Sequence, residues 1–345
     1  MLDFSQLFSA TLYSFENKEK ELLYHISLLQ KNFTKERSLR LSDYLEDEKM
    51  VSAYTLFYMY SNWPKYNFVA DKIPESLKDR YAHCHFIDVG TGPGTYLWAH
   101  EMMFSDRAKK LVGIDLSKIM LKQGRLLKDN FFAESEVYLE KNYSASLKKS
   151  LEGKERILCF GNSFNEMTDD VFCQYIEDVD PTFLNLIFLG TKEVFQRFKK
   201  LRDGYLLEKF DVIYPCLTQE NCPMTLEGGD WCHQYLYHKW PLAFEQLSQK
   251  LKINRRYTPF FGGLFVKKGL WKKETTEDEV VFMRTIFKNK GEAKMLVCNG
   301  QSELEKISFP LKILSKEQKK NIPDLLAGIK MRIKREDGKI KNIIW

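Results

Sequence analysis

The ten residues Phe86–Thr95, which read FIDVGTGPGT, decide the fold of this protein. They open with an apolar segment typical of a buried strand, and Asp88 lies near its end. Three glycines follow, at Gly90, Gly92 and Gly94. Glycine allows the backbone to turn sharply and to approach a ligand closely, and the first N–H groups of a following helix are free to bind one. The stretch therefore predicts a ligand-binding loop between a strand and a helix.

A second acidic residue follows the next predicted strand. The segment Leu111–Ser117, which reads LVGIDLS, places Asp115 where a carboxylate can accept both ribose hydroxyls of an adenosine. The spacing D-x-G-x-G-x-G differs from the G-x-G-x-x-G of dinucleotide-binding dehydrogenases. Asp88 would also repel a pyrophosphate and attract a cationic amino-acid group. The two segments therefore predict S-adenosyl-L-methionine (SAM) as the ligand of the glycine loop.

Short apolar segments alternate with polar helical segments from residue 86 onward. The predicted strands are Phe86–Val89, Lys110–Ile114, Val137–Leu139, Ile157–Phe160 and Leu184–Leu189. This alternation predicts an α/β, doubly wound, Rossmann-like sheet, the fold of class I SAM-dependent methyltransferases. The region before it is predicted to be helical, with one helix over Tyr44–Tyr60 that Pro64 ends soon afterwards. We predict four parts: helical residues 1–80, a SAM domain 81–210, a cysteine module 211–310 and a basic tail 311–345.

Two asparagines complete the predicted cofactor site. Asn142 ends the third strand, where its amide can accept a hydrogen bond from the adenine amine, and Asn162 follows the fourth strand. The N/D-P-P-Y/F tetrad of many amino-methylating enzymes is absent after that strand. Glu166 is either a base or the cap of a helix predicted over Met167–Ile176. No catalytic residue is therefore identified from the sequence.

Four of the seven cysteines lie outside regular apolar segments: Cys216, Cys222, Cys232 and Cys298. Neighbouring thiolates need a metal or another partner to be stable at neutral pH. Four of them suffice for an iron–sulfur cluster or a structural zinc site. The absence of a C-x₂-C knuckle favours the cluster, while His233 or His238 keeps a Cys₃His zinc site as the alternative. The remaining cysteines are predicted to be ordinary core residues.

The positive charge is concentrated in two stretches. The chain carries a net charge of +6, and the segment Leu311–Trp345 alone has ten Lys or Arg against four Asp or Glu. The stretch Lys252–Lys273 contains seven cations and no acid. Its interleaved aromatics are Tyr257, Phe260, Phe261, Phe265 and Trp271. Cations neutralise phosphates and aromatics stack on bases, so the stretch is a candidate RNA face. A hairpin with a solvated lysine side and a core aromatic side is the alternative.

Composition also bears on location. No segment approaches the roughly 18 apolar residues of a membrane span. The first residues lack the features of a secretory signal, and Asp3 and Glu16 disfavour a mitochondrial transit peptide. We therefore expect a cytoplasmic protein with no membrane partner.

With the glycine loop and the cysteines in view, the chain resembles the Rsm22-like family over about Phe86–Gly300. The loop followed by Trp98, the segment Ser163–Met167 and the Gly190-Thr191 element match that family. Its most specific match is the cysteine loop, which contains Pro215-Cys216, Cys222-Pro223, Trp231-Cys232-His233 and the later Cys298-Asn299-Gly300. Leu217-Thr218 replace the Pro-His that the family has in the first cysteine loop.

The resemblance implies association with the small ribosomal subunit or its rRNA, with no DNA partner. It also implies a [4Fe-4S] cluster on the four cysteines. Three functions remain open: an assembly factor that binds SAM and a cluster, an active rRNA or protein methyltransferase whose metal site is structural, and a non-catalytic RNA-binding scaffold. The intact acids and glycines of the cofactor site count against the third.

Overall fold

The computed structural model describes residues 2–34, 47–105, 107, 109–225, 229–272, 278–301 and 303–345. Lys273, at the end of the basic stretch, lies outside these ranges. The chain forms two compact units. The glycine-loop unit comprises Met1–Ile187 and Leu236–Thr258, and the cysteine unit comprises Phe188–Tyr235 and Pro259–Trp345.

The glycine-loop unit begins with helices, as the sequence predicts. They are α1 (Phe4–Ser9), α2 (Glu19–Thr34), α3 (Glu48–Tyr54), α4 (Tyr60–Ala70) and α5 (Glu75–Ala82), with a π-helical turn at Thr55–Met59 between α3 and α4. The prediction that Pro64 ends the helix is wrong, because Pro64 lies inside α4. Nearly every side chain of α4 is buried, and this packing stabilises the helix against the lost hydrogen bond and the steric clash of an interior proline, which together cost about 3 kcal/mol.

The parallel sheet of this unit confirms the five predicted strands. They are β1 (His85–Val89), β2 (Leu111–Ile114), β3 (Val137–Glu140), β4 (Arg156–Gly161) and β5 (Phe183–Leu189), in the order β3-β2-β1-β4-β5. The register pairs Asp88 with Gly113 on β2 and with Cys159 on β4. The helices of this part are α6 (Thr95–Met103), α7 (Lys118–Phe131), α8 (Ala145–Ser150) and α9 (Asp169–Val179). A further helix of the unit, α12 (Leu242–Lys250), comes much later in the chain.

The strand order creates a switch point at the carboxyl end of β1. The chain proceeds from β1 to β2 and β3 on one side, and β4 and β5 lie on the other. Loops that leave adjacent strands in opposite directions open a crevice, and ligands of open α/β sheets bind there. The glycine loop leaves β1 at this point, so the topology and the sequence motif indicate the same place.

The cysteine unit contains helices and an antiparallel sheet. It includes α10 (Lys192–Leu201), a π-helical turn at Arg202–Leu206 and the single helical turn α11 (Leu207–Lys209). Strand β6 (Phe210–Tyr214) pairs antiparallel with β8 (Tyr257–Lys267), and the short strand β7 (Gln234–Tyr237) precedes β8. A five-stranded sheet has the order β11-β10-β9-β12-β13. Its strands are β9 (Glu279–Lys288), β10 (Glu292–Asn299), β11 (Leu304–Pro310), β12 (Lys330–Glu336) and β13 (Lys339–Ile344), with α13 (Lys316–Asn321) before β12.

The segment predicted as a basic tail contributes β12 and β13 to this sheet. Along β12, Met331 and Ile333 are buried in the core of the sheet. The residues that alternate with them, Arg332 and Lys334, are exposed. This alternation is the period-2 pattern of a half-buried strand. The cations of the segment thus lie on a structured face. In the ranges that the structure describes, no helix has both the length and the apolar character needed to cross a membrane.

Candidate cofactor site and cysteine cavity

Asp88 is completely buried at the end of β1. Its Oδ2 accepts a hydrogen bond from Thr91 Oγ1 at 2.8 Å. Its Oδ1 is buried and has no hydrogen-bond partner among the described residues. Burial raises the pKa of Asp88 to about 7, and the nearby Asp115 acts in the same direction, while the hydrogen bond from Thr91 and the adjacent Cys159 thiol oppose the rise. A buried acceptor without a donor costs free energy, so this carboxylate is suited to a cationic ligand.

The glycine loop takes backbone conformations that other residues rarely adopt. Gly90, Gly92 and Gly94 have φ values of +70°, +56° and +93°. A Cβ at Gly90 would lie 2.3 Å from the Cβ of Ser163, so a side chain there would collide with the loop after β4. Trp98 Nε1 donates to the Pro93 carbonyl at 2.8 Å and holds the turn from the side of α6. The three predicted glycines are therefore required by geometry.

Asp115 lies directly across from the loop. Its Oδ2 accepts the N–H of Gly92 at 2.8 Å, and its Oδ1 accepts the N–H of Ser117 at 2.9 Å. Burial raises the pKa of Asp115, and these two backbone hydrogen bonds oppose the rise. The structure thus brings Asp88, the glycines and Asp115 together at the carboxyl ends of β1 and β2, as the sequence predicts.

The two predicted asparagines differ in their surroundings. Asn162 follows β4 with a φ of +63°, and its Nδ2 donates to Tyr96 Oη at 2.8 Å. Its Oδ1 is buried and accepts no hydrogen bond from the described part of the chain. Asn142 lies just beyond β3 and is exposed. Tyr96 was missed by the sequence reasoning, although an aromatic residue two positions after Gly94 was a signal for it.

Glu166 does not cap the helix that follows it. It lies in a 3₁₀ turn at Phe164–Glu166, whereas α9 begins at Asp169 and is capped by Thr168. One side of Glu166 is exposed to solvent, yet burial by the surrounding loops raises the pKa of its carboxyl, and the charge of Asp115 adds to the rise. Of its two predicted roles, the cap is wrong, and Glu166 instead lies near enough to Asp115 for their charges to interact.

The four singled-out cysteines line one cavity in the cysteine unit. Cys216, Cys222, Cys232 and Cys298 all contribute to the wall of this cavity. Apolar side chains make up much of the remaining wall, among them Phe195, Phe198, Leu217, Met224, Phe261 and Met283. His233 and His238, the alternative zinc ligands, are not among the lining residues.

The thiols of this cavity influence one another. Burial raises the pKa of Cys222 to about 11 and that of Cys298 to about 12, and the Cys216 thiol adds to both rises. Burial, with the charges of the other three cysteines, also raises the pKa of Cys232. The charge of Arg202 in the same wall opposes these rises without overcoming them. The thiols therefore remain protonated, and a metal or a further cation is needed to hold them together as thiolates.

Arg202 anchors the cysteine loop, and the sequence reasoning missed it. It lies in the wall of the cavity, is 2% exposed and pairs with Asp203. Its Nη2 donates to the Glu220 carbonyl at 2.9 Å. Asp203 Oδ1 in turn accepts the N–H of Cys222 at 3.1 Å. Within the described ranges, however, no group of three or more His, Cys, Asp or Glu is placed to hold a single metal ion. The four cysteines as ligands therefore stay a prediction.

The strand order, the glycine loop and the two acids Asp88 and Asp115 together define the class of fold. The glycine-loop unit has the Rossmann-like fold of methyltransferases. The chain belongs to the Rsm22 family, whose model, described as mitochondrial small ribosomal subunit Rsm22, matches residues 48–316. This confirms the family resemblance.

Solved structures similar to this chain are remote in sequence. The plantazolicin methyltransferase BpumL, in complex with a pentazolic desmethylPZN analog and SAH, is 14% identical and has a TM-score of 0.38, over 73% of this chain and 98% of its own. Magnesium protoporphyrin IX methyltransferase (ChlM) from Synechocystis PCC 6803, with bound SAM, is 10% identical with a TM-score of 0.36, over 71% and 97%. The human methyltransferase 10 domain containing protein is 10% identical with a TM-score of 0.35, over 60% and 81%. No curated protein matches the sequence.

Proposed function

We propose that this member of the Rsm22 family binds SAM, carries a [4Fe-4S] cluster and acts on or assembles the small ribosomal subunit through its rRNA. The observation that carries the SAM part is the unpartnered Oδ1 of fully buried Asp88 behind the glycine loop. The ammonium group of SAM is a donor of the right charge for it. Asp115 fits the ribose hydroxyls, Asn162 Oδ1 is a free buried acceptor beside them, and Asn142 is the candidate for the adenine amine.

The cysteine cavity supports a group that all four thiols bind together. One zinc ion holds sulfur atoms at about 2.3 Å from itself, so its four ligands must lie within about 4 Å of one another. A cluster binds each thiolate to a different iron, which leaves the sulfurs further apart. All four cysteines line one cavity, and the sequence feature that favours the cluster over zinc is the absence of a C-x₂-C knuckle. The apolar wall would keep water from its sulfides.

An active methyltransferase is the second candidate. SAM supplies an electrophilic methyl group when bound, and an acceptor must lose a proton during or after transfer. Glu166 supports this candidate, because its raised pKa and its closeness to Asp115 suit a carboxylate that takes up a proton at the cofactor cleft. The proposal of a ribosomal partner is supported by the family to which the chain belongs. We propose that the chain recognises the rRNA of that partner.

Asp115→Ala is expected to weaken SAM binding by about 1–3 kcal/mol, because the ribose hydroxyls and the Gly92 N–H lose their acceptor. Isothermal titration calorimetry with SAM and S-adenosylhomocysteine measures the change. Asp211→Ala, which removes an acid of the cysteine unit instead, is the control and leaves the affinity unchanged. If the wild-type chain shows no binding at high micromolar ligand, the cofactor proposal is wrong.

SAM affinity is expected to depend on pH through Asp88. The ammonium group requires an ionised Asp88, whose pKa is about 7 in the cofactor-free chain. Below that pH binding must expel a proton, so the dissociation constant rises by up to about tenfold per pH unit. Above it the affinity is flat until the ammonium group of SAM itself loses its proton, near the ordinary α-amino pKa of about 7.7–8.0, where the affinity falls again. Asp88→Asn should bind weakly at every pH and lose the slope, and calorimetry from pH 5.5 to 8.5 compares the two.

The raised pKa of Asp88 has the opposite effect on the stability of the cofactor-free chain. A carboxyl whose pKa is higher in the folded than in the unfolded state binds more protons when folded, between the ordinary value of 3.8 and about 7. Its contribution to stability therefore falls as the pH rises through this window. Bound SAM should remove that loss.

A further inference from the structure

Residues of the glycine-loop unit outside the cofactor site form a basic pocket that no function above uses. It is lined by Ser248 and Gln249 at the end of α12 and by Lys252, Asn254, Arg255 and Arg256 after it. We call it the Arg255 pocket. Glu245 also lines it and is paired with Arg256 at 2.7 and 3.0 Å. Three cations against one acid leave the pocket with a net formal charge of +2.

Arg255 is a half-buried cation, and no acid among the described residues pairs with it. Its guanidinium lies 5.2 Å from the ring centres of both Phe57 and Tyr58, in the π-helical turn before α4. Its Nε is buried and donates to no acceptor in the described part of the chain. Burial lowers the pKa of Arg255, and the Tyr58 hydroxyl, not a carboxylate, opposes this. Buried charges are normally paired, so an anion is the missing component.

Two neighbours strengthen the same inference. Ser248 is 6% exposed, and its buried Oγ has no partner among the described residues, so the pocket contains a neutral donor beside the cations. Lys65 is a buried cation near Arg255: burial and the charge of Arg255 together lower its pKa to about 7. The carbonyl groups in the last turn of α12 accept the backbone N–H groups of Leu251, Lys252 and Ile253. These carbonyl groups therefore already have hydrogen-bond donors.

An exposed aromatic pair lies beside the pocket. The rings of Tyr237 and Tyr257 are 5.1 Å apart, and their residues are 48% and 47% exposed. Arg256 connects the pair with the pocket, since it lines the pocket, precedes Tyr257 and accepts the N–H of His238 on its carbonyl at 3.0 Å. By contrast, the predicted stacking residues Phe260, Phe261 and Phe265 are buried. Tyr257 is therefore one of the predicted RNA-facing aromatics whose side chain is exposed.

We propose that the Arg255 pocket holds a backbone phosphate of a single-stranded RNA segment and that Tyr237 and Tyr257 stack on an adjacent base. The guanidinium and the Ser248 hydroxyl supply donors for phosphate oxygens. Exposed aromatic rings beside cations are the usual platform for unpaired bases. This inference rests on the proposed rRNA partner and names the surface that would bind it.

Lys252 offers a substitution that separates binding from stability. It has a φ of +55°, a conformation that favours glycine. Lys252→Gly therefore removes a charge of the pocket while relieving backbone strain, and it should melt no lower than the wild type. Tyr237→Ala and Tyr257→Ala, at exposed positions, probe the stacking pair. Arg332→Ala, an exposed arginine paired with Glu279 in the cysteine unit, is the matched control for lost charge.

The test uses the full chain and a fluorescein-labelled single-stranded RNA of about ten nucleotides, within the site sizes of such surfaces. Fluorescence anisotropy across a salt series should show Lys252→Gly with a log–log slope about 0.7 shallower than the wild type. Each tyrosine variant should bind about fivefold or more weakly with an unchanged slope. Arg332→Ala should match the wild type, and a methylphosphonate oligomer of the same sequence should bind far more weakly.

The outcomes distinguish this inference from the proposed function. If small-subunit rRNA and the oligomer bind the pocket and tyrosine variants as tightly as the wild type, the surface is wrong while the rRNA partner stands. If neither RNA binds the wild type, both are overturned. If a polyglutamate peptide displaces the RNA and the tyrosine variants bind normally, the pocket recognises acidic protein, and the RNA assignment fails.

Discussion

Anaerobically purified protein is expected to be brown, with about four iron and four labile sulfide per chain, and Cys232→Ser is expected to lose nearly all of both. The structural reason is that Cys232 lines the same cavity as Cys216, Cys222 and Cys298. The thiolate charge of Cys232 would also interact with all three. Binding of a structural metal group is folding free energy, so the variant should also melt well below the wild type. Iron and sulfide assays, absorbance near 400 nm and thermal unfolding measure the effect.

Cys84→Ser is the control for this substitution. Cys84 is a buried thiol of the glycine-loop unit, outside the cavity, and its Sγ donates to the Arg80 carbonyl at 3.3 Å, a bond that a serine hydroxyl can also make. It should keep the full iron and sulfide content. Stoichiometric zinc without iron in the anaerobic protein would instead assign the cavity to zinc, and metal-free protein with unchanged stability in Cys232→Ser would make the four cysteines ordinary free thiols.

Gly90→Ala is expected to lower the free energy of unfolding by about 2–4 kcal/mol and to abolish SAM binding. The left-handed φ of +70° costs an alanine about 1 kcal/mol. The new Cβ would also lie 2.3 Å from the Ser163 Cβ, and overpacking costs about 1–3 kcal/mol more. The loop must shift to relieve the contact, which moves the ligand-facing backbone. Urea unfolding and calorimetry measure the two effects.

Gly153→Ala separates backbone strain from collision. Gly153 has a similar φ of +80°, but a Cβ there would meet nothing within 4 Å. It should therefore lose only the strain, about 1 kcal/mol, and bind SAM as tightly as the wild type. Equal losses of stability in the two alanine variants would show that the contact with Ser163 is relieved without cost and that the loop does not depend on it.

The predictions that succeeded rest on local patterns. The five parallel strands follow from short apolar segments, and the conformation of the glycine loop follows from residues that alone tolerate positive φ. Asp88 and Asp115 meet because the carboxyl ends of parallel strands meet at one edge of a sheet. Each of these features is encoded within about ten residues, so the sequence is sufficient to predict it.

One of the failed predictions depends on packing against neighbours far along the chain, and another depends on a local helix boundary. Pro64 continues a helix because that helix is buried on nearly all sides, which no local rule reports. Glu166 is not a cap, because α9 begins three residues after it. The aromatics Phe260, Phe261 and Phe265 are buried on β8, as the alternative of a core aromatic side predicts, and for these three residues the prediction of an RNA face is wrong.

The sequence by itself determined the Rossmann-like fold, the family and the place of the two acids and three glycines at the ends of β1 and β2. Only the tertiary structure decided that four cysteines from two distant segments share one cavity with Arg202. It also decided that Arg255 lies half-buried against Phe57 and Tyr58, with no acid of the described residues paired to it. The physical reason is range. Backbone conformation and strand periodicity arise from near neighbours, whereas burial and charge pairing arise from contacts between segments that lie up to about two hundred residues apart in the chain.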